Sequence, residues 1–131
     1  MLFGILILQT CLFAVKADVI LTPWPALAAV GESFTWTCTY TGSETVSGFS
    51  WFLNGNTLAL IISPACTPFR DPPNSSLCEY DCLSTNQATF TVKQISNMNN
   101  GNSWQCAVAA QEYLYSNYVT VTVQGNSLSF L

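Results

Sequence analysis

Apolar and polar residues alternate with a period of two through most of this chain. One segment places its apolar residues on one face and Ser or Thr on the other, as a half-buried strand requires; the apolar residues are Phe34, Trp36, Cys38 and Tyr40. The alternation recurs over residues 49–53, 89–93, 104–108 and 119–123. An apolar run, 57–62, follows an Asn54-Gly55 pair typical of hairpin turns. The pattern predicts an all-β domain of antiparallel strands, with weaker strands over 19–22 and 27–30 at an edge.

Two cysteines and a tryptophan lie in three of these predicted strands, in the order Cys38, Trp51, Cys106. In this respect the chain resembles the immunoglobulin superfamily, and the resemblance covers nearly all of residues 18–124. It implies a two-sheet antiparallel sandwich, closer to the variable type than to the I type. It also implies a Cys38–Cys106 disulfide between the sheets, packed on Trp51 in the core. In family terms Cys38 falls on strand B, Trp51 on strand C and Cys106 on strand F.

The chain also departs from the family pattern. Trp104 stands where the family has a tyrosine two residues before the second cysteine, and Asn100 stands where an aspartate is common. The last predicted strand lacks the Gly-x-Gly bulge of antigen-receptor domains. The resemblance is therefore to a single divergent variable-type domain, and not to an antibody or T-cell receptor chain.

The N-terminus has the features of an export signal. Residues 2–15 are almost wholly apolar, and Val15 and Ala17 are small residues suitably placed for cleavage ahead of Asp18. The run is shorter than the ~20 residues that span a bilayer. We expect a signal peptide over 1–17, the domain over 18–124 and a short tail over 125–131. The expected product is secreted and extracellular, with no membrane insertion of the mature chain.

Charge and composition narrow the function classes. The chain has 3 basic and 7 acidic residues and no histidine. Without a basic patch, nucleic acid is not an expected partner, and without histidine the usual general base is missing. The clustered carboxylates of Asp71, Glu79 and Asp81 are interpreted as solvated loop charges. We expect no enzyme activity, no cofactor and no bound metal, and we expect a glycan at the Asn74-Ser75-Ser76 sequon.

Three more cysteines remain in the mature chain. Cys66, Cys78 and Cys82 lie in a proline-containing segment, 63–84, interpreted as a disulfide-stapled insertion between strands C′ and E. Cys78 and Cys82 are too far apart to bridge each other in an extended segment. Cys66 is therefore expected to pair with Cys78 or with Cys82, Cys78 being slightly favoured. The remaining thiol either stays free or capped, or forms an intermolecular disulfide.

Two surfaces are candidates for binding. The first is the loop end formed by residues 41–48 and 111–117. Within it, Tyr113, Leu114 and Tyr115 are the candidate binding residues, because Ser, Gly and Asn occur in any loop whereas rigid aromatic side chains are favoured in binding loops. The second is the outward face of strands G, F, C and C′, the GFCC′ face. By parity this face shows Phe52 and Tyr118, with the small or polar residues Ser50, Gln105, Ala107, Ala109 and Thr120.

These features predict a secreted recognition protein: a soluble receptor, a decoy or an immune-type factor that binds a protein or glycan ligand through the loop end or the GFCC′ face. One alternative is an adhesive or structural protein that associates with itself, with or without an intermolecular disulfide. Another is a truncated isoform of a larger cell-surface receptor.

Overall fold

Twelve β-strands account for nearly all regular structure in residues 17–70 and 76–124, the part of the chain that the computed structural model describes. The strands are β1 (Val19–Trp24), β2 (Ala28–Ala29), β3 (Phe34–Tyr40), β4 (Gly48–Leu53), β5 (Asn56–Ile62), β6 (Thr67–Arg70), β7 (Cys78–Ser84), β8 (Gln87–Val92), β9 (Ser103–Ala109), β10 (Tyr113–Tyr115), β11 (Val119–Thr120) and β12 (Val123–Gln124). A single 3₁₀ turn, Asn97–Asn99, precedes β9 within this described part. The all-β prediction is confirmed.

The strands form two larger antiparallel sheets. The four-stranded sheet has the order β1-β3-β8-β7, and the six-stranded sheet has the order β10-β9-β4-β5-β6, with β11 also paired to β9. A third pairing, between β2 and β12, is parallel and two residues long. This parallel pair is the one exception to the expected antiparallel arrangement among the described strands.

The core lies between the two larger sheets. Cys38 of β3 and Cys106 of β9 form a disulfide with Cα atoms 6.2 Å apart, so the bond crosses from one sheet to the other. Trp51, opposite Cys106 in the register, is fully buried and packs on Phe90 of the facing sheet at 5.6 Å between ring centroids. Trp104 packs on both Trp36 and Phe90. Large aromatic rings from the two sheets thus meet in the core.

The hairpin between β4 and β5 follows the turn chemistry of its sequence. Asn54 and Gly55 have φ values of 51° and 83°. Positive φ at both central residues defines a type I′ turn, whose twist matches that of the flanking strands. Asn54 Oδ1 also accepts a hydrogen bond from the Ser103 backbone N–H, at 2.8 Å, which ties the turn to the start of β9.

The cysteine-rich segment differs from the expected insertion. Its two ends are regular strands: β6 extends the six-stranded sheet beyond β5, and β7 extends the four-stranded sheet beyond β8. Cys66 pairs with Cys82, at 5.8 Å between Cα atoms, and Cys78 is the free thiol. The slight preference for Cys78 was wrong. β6 and β7 are edge strands of opposite sheets. The Cys66–Cys82 bond therefore links the two sheets at their edge, whereas Cys38–Cys106 links them at the centre of the sandwich.

The last predicted strand is interrupted. Val119 and Thr120 pair with β9, whereas Val123 and Gln124 pair with β2. Between them the Val121 N–H donates to the Asn102 carbonyl oxygen, and the Val121 carbonyl accepts from the Gly101 N–H. Val121 is still buried, so the apolar alternation holds across the break.

Several expectations concern parts of the chain outside the described residues. These are the glycosylation sequon at Asn74, residues 1–16 of the expected signal peptide, and the tail 125–131. Across residues 17–70 and 76–124, no helix is long and apolar enough to cross a bilayer.

Candidate binding surface

The segment after β9 is a strand and not the open loop expected from the sequence. Residues Tyr113–Tyr115 form β10 and pair antiparallel with β9. In this register Tyr113 lies opposite Ala109, Leu114 opposite Val108 and Tyr115 opposite Ala107. The Tyr-Leu-Tyr alternation is itself a period-two signal, and it could have identified the strand.

Both tyrosines lie over the outward face of the six-stranded sheet. The Tyr113 hydroxyl reaches β4 and donates a hydrogen bond to Ser50 Oγ at 2.6 Å. The Tyr115 ring packs against Phe52, also on β4, at 5.8 Å between centroids. The two tyrosine rings meet edge to face at 5.1 Å. The two surfaces predicted separately, the tyrosine segment and the outward sheet face, are therefore one surface.

Small residues of β4 and β9 make room for these rings. Ala107 and Ser50 are buried although they point outward, because the tyrosines cover them. Gln105 is buried as well, and its Nε2 donates to the Ser116 carbonyl oxygen at 3.1 Å. The expectation that Ser50, Gln105 and Ala107 are exposed was therefore wrong. The tyrosines themselves stay accessible, at 45% for Tyr113 and 55% for Tyr115.

An apolar groove continues this surface toward β5 and β6. It has a volume of about 320 Å³ and lies between Tyr113 and Phe69, with Leu60 and Ile62 along it. Phe69 is 75% exposed and Ile62 is 43% exposed. We call this surface the tyrosine face; it comprises Phe52, Leu60, Ile62, Phe69, Tyr113 and Tyr115. None of its members is charged.

The two remaining candidates lie elsewhere. Leu114 points to the opposite side of β10 from the tyrosines and packs against the core, partly buried. Tyr118 lies between β10 and β11 and is 65% exposed. The ring contacts of the described residues do not connect it to Phe52, Tyr113 or Tyr115.

A charged site lies at one end of the sandwich, beside the tyrosine face. The Tyr40 hydroxyl donates a hydrogen bond to Glu44 Oε1. This bond lowers the pKa of the Glu44 carboxyl. It is also the main cause that raises the pKa of Tyr40, with burial and the charge of Glu44 acting in the same direction. Glu44 is thus held ionised while Tyr40 is held neutral.

The free thiol of Cys78 is shielded. Cys78 is half-buried on β7 and packs at the edge of the core. Burial raises the pKa of its thiol, and the positive charge of Lys93 lowers it by a smaller amount. A raised pKa reduces the thiolate fraction, and the thiolate is the reactive form.

Glu79 and Asp81 are exposed on one face of β7, as their spacing predicts. Within the described part of the chain, no group of three or more His, Cys, Asp or Glu side chains is arranged to hold a metal ion. Comparison with known proteins adds no assignment, because no family model and no curated protein matches this chain.

Proposed function

We propose that this chain is a secreted recognition protein built on a single divergent variable-type immunoglobulin domain, and that it binds a protein partner through the tyrosine face. The observation that carries the proposal is the pair of half-exposed tyrosines lying over the buried small residues Ser50 and Ala107. Tyrosine supplies a large amphipathic contact area at a low cost in side-chain entropy. Fixed aromatic side chains of this kind are enriched among the residues that dominate binding energy.

Other features support the same proposal. Two disulfides are typical of proteins that fold in an oxidising compartment. The six members of the tyrosine face form a continuous apolar surface, and such surfaces on soluble proteins commonly mark interaction sites. Binding is favoured over catalysis because the chain has no histidine.

The test has two stages. The full chain is first expressed in animal cells, and the N-terminus and intact mass of the secreted product are measured; a start at Asp18 and a glycan at Asn74 are expected. The secreted protein, displayed as a multimer, is then screened against a panel of extracellular proteins beside two variants. Tyr115→Glu puts a charge on the tyrosine face, and Met98→Glu puts the same charge on a side chain that is 89% exposed in the 3₁₀ turn.

The expected result is a partner that binds the wild type and Met98→Glu but not Tyr115→Glu. Equal binding of all three proteins would assign recognition to another surface. Retention of the protein inside the cell would contradict the secreted location.

A second candidate function is self-association through the same face. It is favoured because the six residues that define the tyrosine face are uncharged, and like charges at a two-fold interface would oppose pairing. Analytical ultracentrifugation of wild type and Phe52→Glu tests it: a dimer that dissociates in the variant supports this function, and a monomeric wild type excludes it.

A further inference from the structure

A cavity of about 440 Å³ opens among three loops at one end of the sandwich. Its walls come from the segment after β3, the turn after β5 and the turn between β7 and β8. Its volume lies within the range of small-ligand sites in proteins, roughly 300–1,000 Å³. Hydroxyl groups dominate the lining, from Ser43, Thr45, Ser63 and Thr85.

Glu44 is the one charged residue that lines this cavity among the described residues. Its carboxylate is fixed by the Tyr40 hydroxyl, and Gly42 makes that contact geometrically feasible. A Cβ atom on residue 42 would overlap the Tyr40 phenol ring. The Tyr40–Glu44 hydrogen bond keeps the carboxyl ionised, so the cavity presents a fixed negative charge in a defined position.

A second carboxylate strengthens the negative potential. Glu44 and Tyr40 also line a smaller cavity of about 180 Å³, and Glu112 lies in its wall. The Glu112 charge is close enough to raise the pKa of Tyr40. No basic side chain lines either cavity within the described part of the chain.

Ser63 gives independent support for a ligand. It lines the larger cavity, its side chain is only 7% exposed, and its hydroxyl makes no hydrogen bond with another described residue. Buried polar groups are normally hydrogen-bonded. Ser63 Oγ is not among the fully sealed side-chain atoms that lack a partner in the described structure, so it is open to solvent or to a ligand in the cavity that Ser63 lines.

From these observations we infer that the cavity binds a basic side chain, lysine or arginine, of a protein partner. The ammonium or guanidinium group would pair with Glu44 and donate to Ser63 and the other hydroxyl oxygens. Both cations carry only donors, which matches a lining of one carboxylate and several hydroxyl acceptors. Charge-assisted hydrogen bonds of this kind are about twice as strong as neutral ones.

The inference goes beyond the proposed function, because the cavity and the tyrosine face share no residue. The proposed cation site and the proposed function of the tyrosine face can therefore be refuted independently. Loss of binding at the tyrosine face leaves the cation site intact, and an empty cation site leaves the tyrosine face able to bind.

The experiment uses the isotope-labelled secreted protein and follows backbone amide NMR shifts. N-acetyl-arginine amide is the probe, and N-acetyl-citrulline amide, which has nearly the same shape without the charge, is the matched control. We expect saturable shifts at residues 42–46, 63 and 85–86 with arginine, with an affinity on the order of millimolar, and none with citrulline. Added salt weakens the binding.

Variants locate the interaction. Glu44→Gln keeps an acceptor for Tyr40 but removes the charge, and it should weaken arginine binding about tenfold or more. Ser63→Ala should weaken it several-fold, and Tyr115→Ser, on the tyrosine face, should leave it unchanged. Equal binding of arginine and citrulline, or unchanged binding in Glu44→Gln, would overturn the inference. Binding of a neutral sugar at these residues without arginine binding would overturn it too, and would assign the cavity to glycans.

Discussion

The hydrogen bond between Tyr113 and Ser50 provides a direct test of the tyrosine face. Ser50 is 4% exposed, and its hydroxyl accepts the hydrogen of Tyr113 at 2.6 Å. Tyr113→Phe removes the donor and leaves the Ser50 hydroxyl buried without its partner. An unsatisfied buried polar group costs about 1–3 kcal/mol of folding free energy. We therefore expect Tyr113→Phe to destabilise the domain by about 1–2 kcal/mol, although it deletes a single oxygen atom.

The reverse deletion should cost less. Ser50→Ala removes the buried hydroxyl and leaves the Tyr113 hydroxyl on a side chain that is 45% exposed, where water can replace the lost partner. About 0.5–1 kcal/mol is expected, the net value of one neutral hydrogen bond. In the Ser50→Ala background, Tyr113→Phe should then cost almost nothing, which gives a coupling energy of about 1–2 kcal/mol in a double-mutant cycle.

Urea unfolding followed by tryptophan fluorescence measures these differences, and calorimetry checks them as a fall in Tm of about 4–8 °C per kcal/mol. Tyr118→Phe is the matched control, because Tyr118 is 65% exposed and should tolerate the change without loss of stability. A neutral Tyr113→Phe would mean that the Tyr113 hydroxyl does not reach Ser50 on β4. An equal cost of Tyr113→Phe in both backgrounds would refute the hydrogen bond itself.

Three further predictions concern the Cys66–Cys82 disulfide and the packing and hydrogen bonding of Tyr40. Replacing both Cys66 and Cys82 by serine should lower the unfolding free energy by about 3 kcal/mol in urea titrations, since the bond closes a loop with a sequence separation of 16. Gly42→Ala should cost about 1–3 kcal/mol in calorimetry, because the added methyl group overlaps the buried Tyr40 ring; a neutral result would contradict that packing. The Tyr40–Glu44 bond should also shape the pH profile of stability. The pKa of Tyr40 is raised on folding and that of Glu44 is lowered, so the contribution is present between about pH 4.5 and 10 and is lost outside this window. The free energy of unfolding, measured as a function of pH, should fall less steeply below pH 4.5 and above pH 10 in Tyr40→Phe than in the wild type.

Local patterns were sufficient to predict most of the strands and which face of each is buried. A period of two specifies which face of a strand is buried, so the inward positions of Trp36, Cys38 and Cys106 follow from the sequence. Asn54-Gly55 likewise specified its hairpin, because few residue pairs adopt positive φ at both positions. Each of these features depends on residues that are neighbours along the chain.

Long-range packing decided the rest. The partner of Cys66 depends on which strand of the facing sheet lies across the margin of the sandwich, and spacing along the chain does not specify that. The position of Tyr113 over Ser50 depends on the register between β10, β9 and β4, and on the small size of Ala107 beneath the rings. The cavity beside Glu44 is assembled from three loops that are distant in sequence. The sequence by itself determined an all-β domain in which Cys38 and Cys106 point inward. Only the tertiary structure decided which side chains meet on its surface, because surface neighbours come from different strands and loops.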